Sequence, residues 1–336
     1  MESLMQWGVS FILWFQAWPV NLAAPMRLIT LLGTEEFFLL VMPALYWCGS
    51  AELGLRLAGL LIGSDALNSL VKLAFHLPRP SWIDPRVRAL TSETSYGLPS
   101  NHAQTAAAIW GFLGAEAGRR MPARRWLAPV LAITLILLIS LSRVYLGVHF
   151  PSDVLAGWLV GGLLLWAYWR WQPAVSRWLA GLGLAPQVAL AMLVSVVYLA
   201  LAAGAYALAG PADPAEWVGQ AAAAAPDAEP IDPRSAETTT NSAGMLLGLG
   251  AGAACAVRWA RFNAGGPWGQ RALRFLLGVA GILLFWRGLA LVLPTEPLAV
   301  GLAFRYLRYA LTVYWALFLA PWLFLKLRLA DRQAQG

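Results

Sequence analysis

The chain has 336 residues, of which 59% are hydrophobic and 12% are charged, and its formal net charge is +7. Soluble domains carry about 25% charged residues, so this composition excludes an ordinary soluble protein and indicates a polytopic membrane protein. The basic residues lie in short loops between apolar segments, a distribution that the positive-inside rule explains better than nucleic-acid binding. We therefore expect membrane lipids, and no nucleic acid, as partners.

Apolar segments of about 20 residues, the length needed to cross a bilayer, recur along the chain and predict about nine transmembrane helices. The apolar segment at residues 4–18 is shorter. We therefore interpret residues 1–26 as an interfacial helix in the membrane plane, and a short additional span is the alternative. The sequence predicts an all-α, multi-pass fold with spans at residues 27–48, 53–76, 103–118, 126–142, 153–171, 186–209, 243–261, 271–293 and 302–326.

Residues 210–242 differ in composition from the apolar segments around them. They contain six acidic residues and one arginine among many Ala, Pro and Thr residues, which predicts a flexible aqueous loop with at most a short helix. If each predicted span crosses once, more than half of the Lys and Arg residues share one side, and this acidic loop lies on the other. The positive-inside rule then places the loop outside the cytoplasm and the C-terminus inside.

Three short polar segments interrupt the apolar ones at predicted helix ends, all on the extracytoplasmic side of the predicted topology. Residues 72–80 end the second span, residues 99–102 precede the third, and residues 142–153 separate the fourth from the fifth. The side chains of interest are cations, a hydroxyl, an amide, two imidazoles and a carboxylate, and they belong to Lys72, Arg79, Ser100, Asn101, His102, Arg143, His149 and Asp153.

The cations of these segments suit a phosphate group. Arginine binds phosphate oxygens in a planar, bidentate geometry, and Lys72, Arg79 and Arg143 together supply up to three positive charges. Ser100 and the backbone N–H groups around Asn101 open a helix, and helix N-termini attract anions. The pattern predicts a pocket that stabilises a charged transition state. We expect neither a metal nor another cofactor, because the pattern lacks the carboxylate cluster that Mg²⁺ needs.

Two histidines supply the candidate chemistry. Asp153 follows His149 by four positions, where it would fix the imidazole ring and stabilise its cation, so His149 is the better candidate for a nucleophile. His102 is then the candidate general acid that protonates the leaving oxygen. A lone histidine at a helix end is more often a satisfied polar residue, and only the combination of all three segments favours catalysis.

The order and spacing of the three segments resemble the signature of the type 2 phosphatidic acid phosphatase family. This family comprises integral-membrane lipid phosphate phosphatases related to the vanadium haloperoxidases, and its pattern is Lys-x6-Arg-Pro, Pro-Ser-Gly-His and Ser-Arg-x5-His-x3-Asp. The chain departs from it at Asn101, where the family usually has Gly. The matching residues are Lys72, Arg79, Pro80, Pro99, Ser100, His102, Ser142, Arg143, His149 and Asp153.

The resemblance covers residues 27–171 and implies a catalytic core that hydrolyses lipid phosphates or diphosphates through a phosphohistidine, without a metal. Residues 172–336, including the acidic loop at 210–242, form a C-terminal transmembrane extension that the resemblance does not explain. The resemblance also implies a role for each site residue. His102 would be the general acid, His149 the nucleophile and Asp153 the partner that supports His149. Phosphate binding would fall to Lys72, Arg79, Ser100, Asn101 and Arg143.

The expected substrate is a lipid phosphate in the cell membrane, with the active site on the extracytoplasmic face and undecaprenyl diphosphate as the first candidate. Phosphatidic acid, phosphatidylglycerol phosphate and sphingosine phosphate stay open. A phosphotransferase that passes the phosphate to another lipid or sugar shares the phosphohistidine and is not separated by the sequence. A lipid transporter or flippase would also suit the many spans but does not need the two histidines. The oligomeric state is left open.

Overall fold

The computed structural model describes residues 2–18, 21–210 and 212–333, and within these residues the chain consists of helices joined by loops, with one isolated β-bridge between Phe262 and Arg332. The predicted all-α fold is confirmed. The helices are α1 (Glu2–Gln16), α2 (Ala23–Leu31), α3 (Glu35–Cys48), α4 (Ala51–Phe75), α5 (Pro80–Ile83), α6 (Asn101–Arg120), α7 (Leu127–Tyr145), α8 (Pro151–Ala180), α9 (Leu184–Leu208), α10 (Ala215–Ala224), α11 (Ala236–Trp259), α12 (Trp268–Leu283), α13 (Leu289–Val292), α14 (Leu298–Tyr314) and α15 (Ala320–Lys326).

Seven helical segments in the described residues are long and apolar enough to cross a membrane. The predicted spans at 103–118 and 153–171 correspond to α6 and α8, which are helical but are not among these seven. The multi-pass architecture is therefore confirmed, while the count of about nine spans stays a prediction. Candidate spans are Ala23–Cys48, Ala51–Ile83, Leu127–Tyr145, Leu184–Leu208, Ala236–Trp259, Trp268–Val292 and Leu298–Lys326.

The chain forms two compact units, and each is assembled from segments that are distant in sequence. Unit 1 comprises Met1–Phe37, Leu67–Arg170 and Ala202–Ser235, and unit 2 comprises the remaining segments. Most of the predicted acidic loop, including α10, belongs to unit 1 by its contacts. The division at residue 171 between a catalytic core and an extension stays a prediction.

In unit 1, α1 packs its apolar face against the chain that leads into α8. Val9, Ile12 and Phe15 recur at helical spacing and are buried in one cluster with Tyr145 and Phe150. The rings of Phe15 and Tyr145 meet edge to face with centroids 5.1 Å apart. This packing supports the segment between α7 and α8; the placement of α1 in the membrane interface stays a prediction.

Glycines bring α8 unusually close to the beginning of α6. A Cβ added at Gly157 would lie 2.8 Å from the carbonyl oxygen of Ser100, and one at Gly161 would clash with the carbonyl oxygen of Gln104. Small residues at a helix interface allow the backbones to approach in this way. The contact places the first turn of α6 beside the second and third turns of α8.

Unit 2 is held by hydrogen bonds from α3 and by an ion pair between α14 and α11. The Tyr46 hydroxyl and the Trp47 indole N–H each donate to a backbone carbonyl of the π-helical turn Trp315–Leu319, both at 2.9 Å. In the same unit, Arg305 of α14 pairs with Glu237 of α11 at 2.6 Å. This ion pair neutralises one arginine of the last predicted span.

Candidate active site

The end of α7 determines where the third polar segment enters the site. Gly147 adopts φ +77°, a left-handed conformation that glycine reaches without steric cost. The N–H of Gly147 donates to the carbonyl of Val144 at 3.1 Å, and that of Val148 donates to the carbonyl of Arg143 at 3.3 Å. This pair of bonds is a Schellman C-cap. It leaves Arg143 in the last helical turn and His149 just beyond it.

His149 is 1% exposed, and its two ring nitrogens have different partners. Nδ1 lies 3.3 Å from Oδ2 of Asp153, and Nε2 lies 3.2 Å from Nη1 of Arg79. The Asp153 carboxylate, in the first turn of α8, also accepts the N–H of Phe150 at 2.9 Å. With its proton on Nδ1 facing the carboxylate, the ring keeps a lone pair on Nε2. Nε2 is therefore the atom available for attack.

Arg79 is fixed by backbone carbonyls. It precedes Pro80, which favours extended backbone in the residue before it, and Arg79 has φ −91° and ψ 159°. Its guanidinium donates to the carbonyls of Ser95 at 2.6 Å, Tyr96 at 3.2 Å and Val148 at 2.9 Å. These bonds, together with one from Nη2 to the Ser95 hydroxyl at 3.2 Å, orient the cation beside His149.

Lys72 lies in the last turn of α4 and reaches the same loop. Its Nζ donates to the Ser95 hydroxyl at 3.2 Å and to the carbonyl of Tyr96. Both predicted cations of the first polar segment are thus held by the same two residues. Lys72 and Arg79 are 8% and 1% exposed, so their charges act in a poorly solvated environment where they bind anions strongly.

Ser100 caps α6 and joins it to α8. Its hydroxyl accepts the N–H of Ala103 at 3.4 Å, as a helix N-cap does. Its own N–H donates to the backbone carbonyl of Asp153 at 3.0 Å. Asn68 of α4 supports the same turn, because its amide donates to the carbonyl of Pro99 at 3.3 Å. The beginning of α6 is thereby fixed beside Asp153.

Asn101 and His102 occupy the first turn of α6. The Asn101 side-chain oxygen accepts a hydrogen bond from the hydroxyl of Thr105 at 3.2 Å. Its backbone is helical, so this turn does not require the glycine that the family pattern usually has. Nε2 of His102 is buried and has no hydrogen-bond partner among the described residues. That nitrogen is free to exchange a proton with a bound substrate.

Arg143 is held by a carboxylate that the sequence did not single out. Its Nη1 donates to the Thr30 hydroxyl at 3.0 Å, and its Nη2 donates to Oε1 of Glu93. The other oxygen of Glu93 lies 3.6 Å from Nη2 of Arg79. Glu93 therefore bridges the two arginines predicted to bind phosphate.

The charges of the site fix the protonation of its loop residues. Burial raises the pKa of Glu93, but the positive charges of Arg143 and Arg79 together lower it by more. The resulting pKa is about 2 instead of 4.5. Burial, followed by the positive charges of Arg79 and Lys72, holds the pKa of His149 well below its usual range. Glu93 is consequently ionised, and His149 is a neutral imidazole, which is the nucleophilic form.

Unit 1 contains all eight predicted site residues, together with four residues that contact them and that the sequence analysis missed. The individual roles of the eight predicted residues stay predictions. Two of the missed residues, Ser95 and Tyr96, accept bonds through their backbone carbonyls, which no residue pattern reveals, and Ser95 also accepts through its hydroxyl. Glu93 and Thr30 act through their side chains, and the one available signal was an acidic residue in a loop otherwise rich in cations.

The segment around α10 packs on the helix that follows Arg79. The rings of Trp217 in α10 and Trp82 in α5 have centroids 6.2 Å apart. The guanidinium carbon of Arg79 lies 6.0 Å from the centroid of the Trp82 ring. Both tryptophans belong to a cluster that also includes Tyr96. Part of the acidic loop thus packs against the residues that hold Lys72 and Arg79.

Comparison with known protein families gives two matches that together span most of the chain. The PAP2 superfamily matches residues 53–177, and the family described as "PAP2 superfamily phosphatase, transmembrane extension" matches residues 240–332. The first match contains all eight predicted site residues. The second covers residues 240–332 of the C-terminal part that the motif resemblance left unexplained.

Individual relatives are similar to this chain over different lengths. Glucose-6-phosphatase 3 of Bos taurus is 30% identical over 320 residues, which are 88% of this chain and 88% of that protein. Lipid phosphate phosphatase delta of Arabidopsis thaliana is 30% identical over 140 residues, covering 38% of this chain and 33% of that protein. Human sphingosine-1-phosphate phosphatase 2 is 33% identical over 136 residues, covering 40% of this chain and 34% of that protein.

A solved structure is also similar. It is the crystal structure of a transmembrane PAP2 type phosphatidylglycerolphosphate phosphatase from Bacillus subtilis, which is 25% identical to this chain. The superposition has a TM-score of 0.43 and covers 51% of this chain and 87% of that one.

Proposed function

This chain belongs to the PAP2 superfamily of membrane phosphatases and is a phosphoric monoester hydrolase, and we propose that it cleaves its substrate through a phosphohistidine on His149. The observation that carries this proposal is the placement of His149. Its Nδ1 faces the Asp153 carboxylate at 3.3 Å, and its Nε2 faces the Arg79 guanidinium at 3.2 Å. A phosphoryl group bound by that guanidinium would lie beside the nucleophilic nitrogen.

In the first step, the substrate phosphate binds to Lys72, Arg79 and Arg143. Nε2 of His149 attacks phosphorus, a P–N bond forms, and the P–O bond to the leaving group breaks on the opposite side. His102, protonated in the substrate complex, donates a proton to the departing oxygen, so that the product leaves as an alcohol or, from a diphosphate, as a lipid monophosphate. The three cations stabilise the charge that develops on the equatorial oxygens.

In the second step, water attacks the phosphohistidine. His102, now unprotonated, takes a proton from that water as the new P–O bond forms and the P–N bond breaks. His149 returns to its neutral form, and inorganic phosphate is released. The Asp153 carboxylate stabilises the cationic ring in both steps without accepting a proton.

We propose a lipid phosphate as the substrate, with undecaprenyl diphosphate as the first candidate. The support is the similarity of the catalytic region to lipid phosphate phosphatases and the position of Lys72, Arg79 and Arg143 near the ends of candidate membrane spans. Lipid substrates can approach such a site along the membrane. Catalysis would take place on the extracytoplasmic face, as the charge distribution of the loops predicts.

A sugar phosphate is the second candidate, and a separate observation favours it. Glucose-6-phosphatase 3 matches 88% of this chain, whereas the lipid phosphatases match about two fifths or less. The full-length match includes the C-terminal extension. A soluble substrate would enter from the aqueous side, past the segment around α10.

Phosphate release by the purified protein tests the activity and ranks these substrates. The assay compares undecaprenyl diphosphate, phosphatidic acid, phosphatidylglycerol phosphate, sphingosine phosphate and glucose 6-phosphate, with His149→Ala as the control. Phosphate release by the wild type and not by His149→Ala supports the proposal. The ratio of kcat/KM between the lipids and glucose 6-phosphate decides the substrate class. Transfer of phosphate to an added lipid or sugar, without free phosphate, would replace hydrolysis by phosphotransfer.

The location of the site is tested by labelling. Ala222 lies in α10 and is exposed. In a variant with both native cysteines replaced, Ala222→Cys should react in intact cells with a thiol reagent that does not cross membranes. Labelling that requires cell lysis would place the segment, and the site with it, on the cytoplasmic side.

A further inference from the structure

Glu93 has an unusual position for a carboxylate in a site that must bind a phosphate. It lies in the loop between α5 and α6, with one oxygen on Nη2 of Arg143 and the other 3.6 Å from Nη2 of Arg79. These two arginines are the bidentate phosphate ligands of the proposed mechanism. The carboxylate thus occupies a donor of Arg143 and lies beside the Arg79 cation, where a substrate phosphate would bind.

The nucleophile shares one of these arginines with the carboxylate. Nη1 of Arg79 contacts Nε2 of His149 at 3.2 Å, while Nη2 of the same guanidinium faces Glu93. A phosphorus atom within reach of Nε2 places its oxygens along that guanidinium. A phosphate dianion and the Glu93 carboxylate repel each other at such a short separation. Both cannot keep their full contacts with the arginines at once.

Exposure indicates which partner of these ion pairs is able to move. The side chains of Arg79 and Arg143 are 2% and 3% exposed, whereas that of Glu93 is 29% exposed. Arg79 also donates to three backbone carbonyls, and Arg143 donates to the Thr30 hydroxyl. The arginines are therefore fixed by other bonds, and the loop carboxylate has a route to solvent.

We propose that Glu93 is a positioning residue that acts as an internal substitute for phosphate: it aligns Arg79 and Arg143 in the empty site and is displaced when the substrate phosphate binds. This inference rests on the proposed phosphate-binding role of the two arginines. The carboxylate keeps the buried cations apart and paired until substrate arrives, and it competes with released phosphate for the same donors. Glu93 therefore weakens phosphate binding and speeds product release.

The matched substitution is Glu93→Gln, which keeps the side-chain shape and removes the charge. We expect inorganic phosphate and orthovanadate to bind this variant about tenfold more tightly, since a charge-assisted hydrogen bond no longer competes. KM should fall, and kcat should fall with it if phosphate release limits turnover. Asp227→Asn, which neutralises an exposed carboxylate of the acidic loop, is the control and should leave these constants unchanged.

Binding is measured directly by titrating the detergent-purified protein with phosphate and with vanadate, and KM and kcat are measured in parallel. Unchanged or weaker binding in Glu93→Gln would overturn the proposal, because a purely structural ion pair or a substrate-binding carboxylate predicts that result. If Glu93→Gln folds poorly, thermal unfolding with and without phosphate decides the question. Rescue by phosphate supports displacement, and failure of saturating phosphate to stabilise the variant contradicts it.

The same titration separates this inference from the proposed catalytic mechanism. If the wild type forms no phosphohistidine but Glu93→Gln binds phosphate more tightly, the mechanism fails and the displacement stands. If the phosphohistidine forms and binding does not respond to Glu93→Gln, the displacement fails and the mechanism stands.

Discussion

The Tyr96 hydroxyl donates a hydrogen bond of 2.8 Å to Oδ1 of Asp213, a residue 117 positions later in the chain. Tyr96 is also the residue whose backbone carbonyl accepts bonds from Lys72 and Arg79. Arg234 completes the connection by donating to the same Asp213 carboxylate at 3.0 Å. The acidic loop is thus tied through Asp213 to the loop that positions Lys72 and Arg79, and Arg234 ties the later part of the acidic loop to the same carboxylate.

Asp213→Asn should loosen this connection, because the charged acceptor shared by Tyr96 and Arg234 is lost. Bonds to charged groups contribute about 1.5–3 kcal/mol, so we expect faster proteolytic cleavage within residues 225–235 and a severalfold lower kcat/KM. Asp227→Asn is the control, since Asp227 is exposed. Equal cleavage rates in the two variants would show that Asp213 does not hold the loop.

The loss of rate caused by His102→Gln should depend on the leaving group of the substrate. A general acid contributes roughly 100- to 10,000-fold, and a substrate whose leaving group needs no proton loses little of the first step. We therefore expect this variant to release the alcohol from an aryl phosphate with an acidic phenol far faster, relative to wild type, than from an alkyl phosphate. A uniform loss with both substrates would assign His102 to binding and not to proton transfer.

Acidification should remove a contribution of Glu93 to stability. The pKa of this carboxyl is about 2 in the folded protein, below the usual 4.5. A depressed pKa means that the ionised form stabilises the fold above about pH 4.5, and that this contribution is lost as the pH falls towards about 2. The melting temperature of wild type should approach that of Glu93→Gln across this interval. A constant difference between the two would contradict the shift.

Activity should persist in EDTA, because the mechanism relies on Lys72, Arg79 and Arg143 instead of a metal for charge neutralisation. The assay is phosphate release before and after dialysis against the chelator. Complete loss that added Mg²⁺ restores would show that a divalent cation takes part in catalysis.

The sequence alone predicted a set of site residues that lie in one unit, because order, spacing and residue type agree across three segments. Each of these segments lies next to an apolar helix, so the helix boundaries bring its polar residues to one end. Glu93 was not predicted because an isolated carboxylate in a loop has no periodicity that would show where its side chain points. The contacts of Tyr96 were equally hidden, since one is a backbone carbonyl and the other joins residues far apart in sequence.

The fold class was predictable from apolar segments of membrane-spanning length, but the two-unit organisation was not. α4 contributes residues to both units, since the boundary falls between Ala66 and Leu67. Hydropathy describes each helix separately and carries no information about which helices pack together. The close approach of α8 to α6 depends on Gly157 and Gly161, and only the packed structure distinguishes these glycines from the others in the chain.

The most direct test of the account is to trap the covalent intermediate. Wild type and His149→Ala are mixed with phosphatidic acid or glucose 6-phosphate that carries a radioactive label in its phosphate group. The proteins are then denatured and digested at alkaline pH, because phosphohistidine survives alkali and is lost in acid. We predict an acid-labile label on the peptide that contains His149, and none in the variant. Substrate turnover by wild type without this label, or a label on another residue, would contradict nucleophilic catalysis by His149.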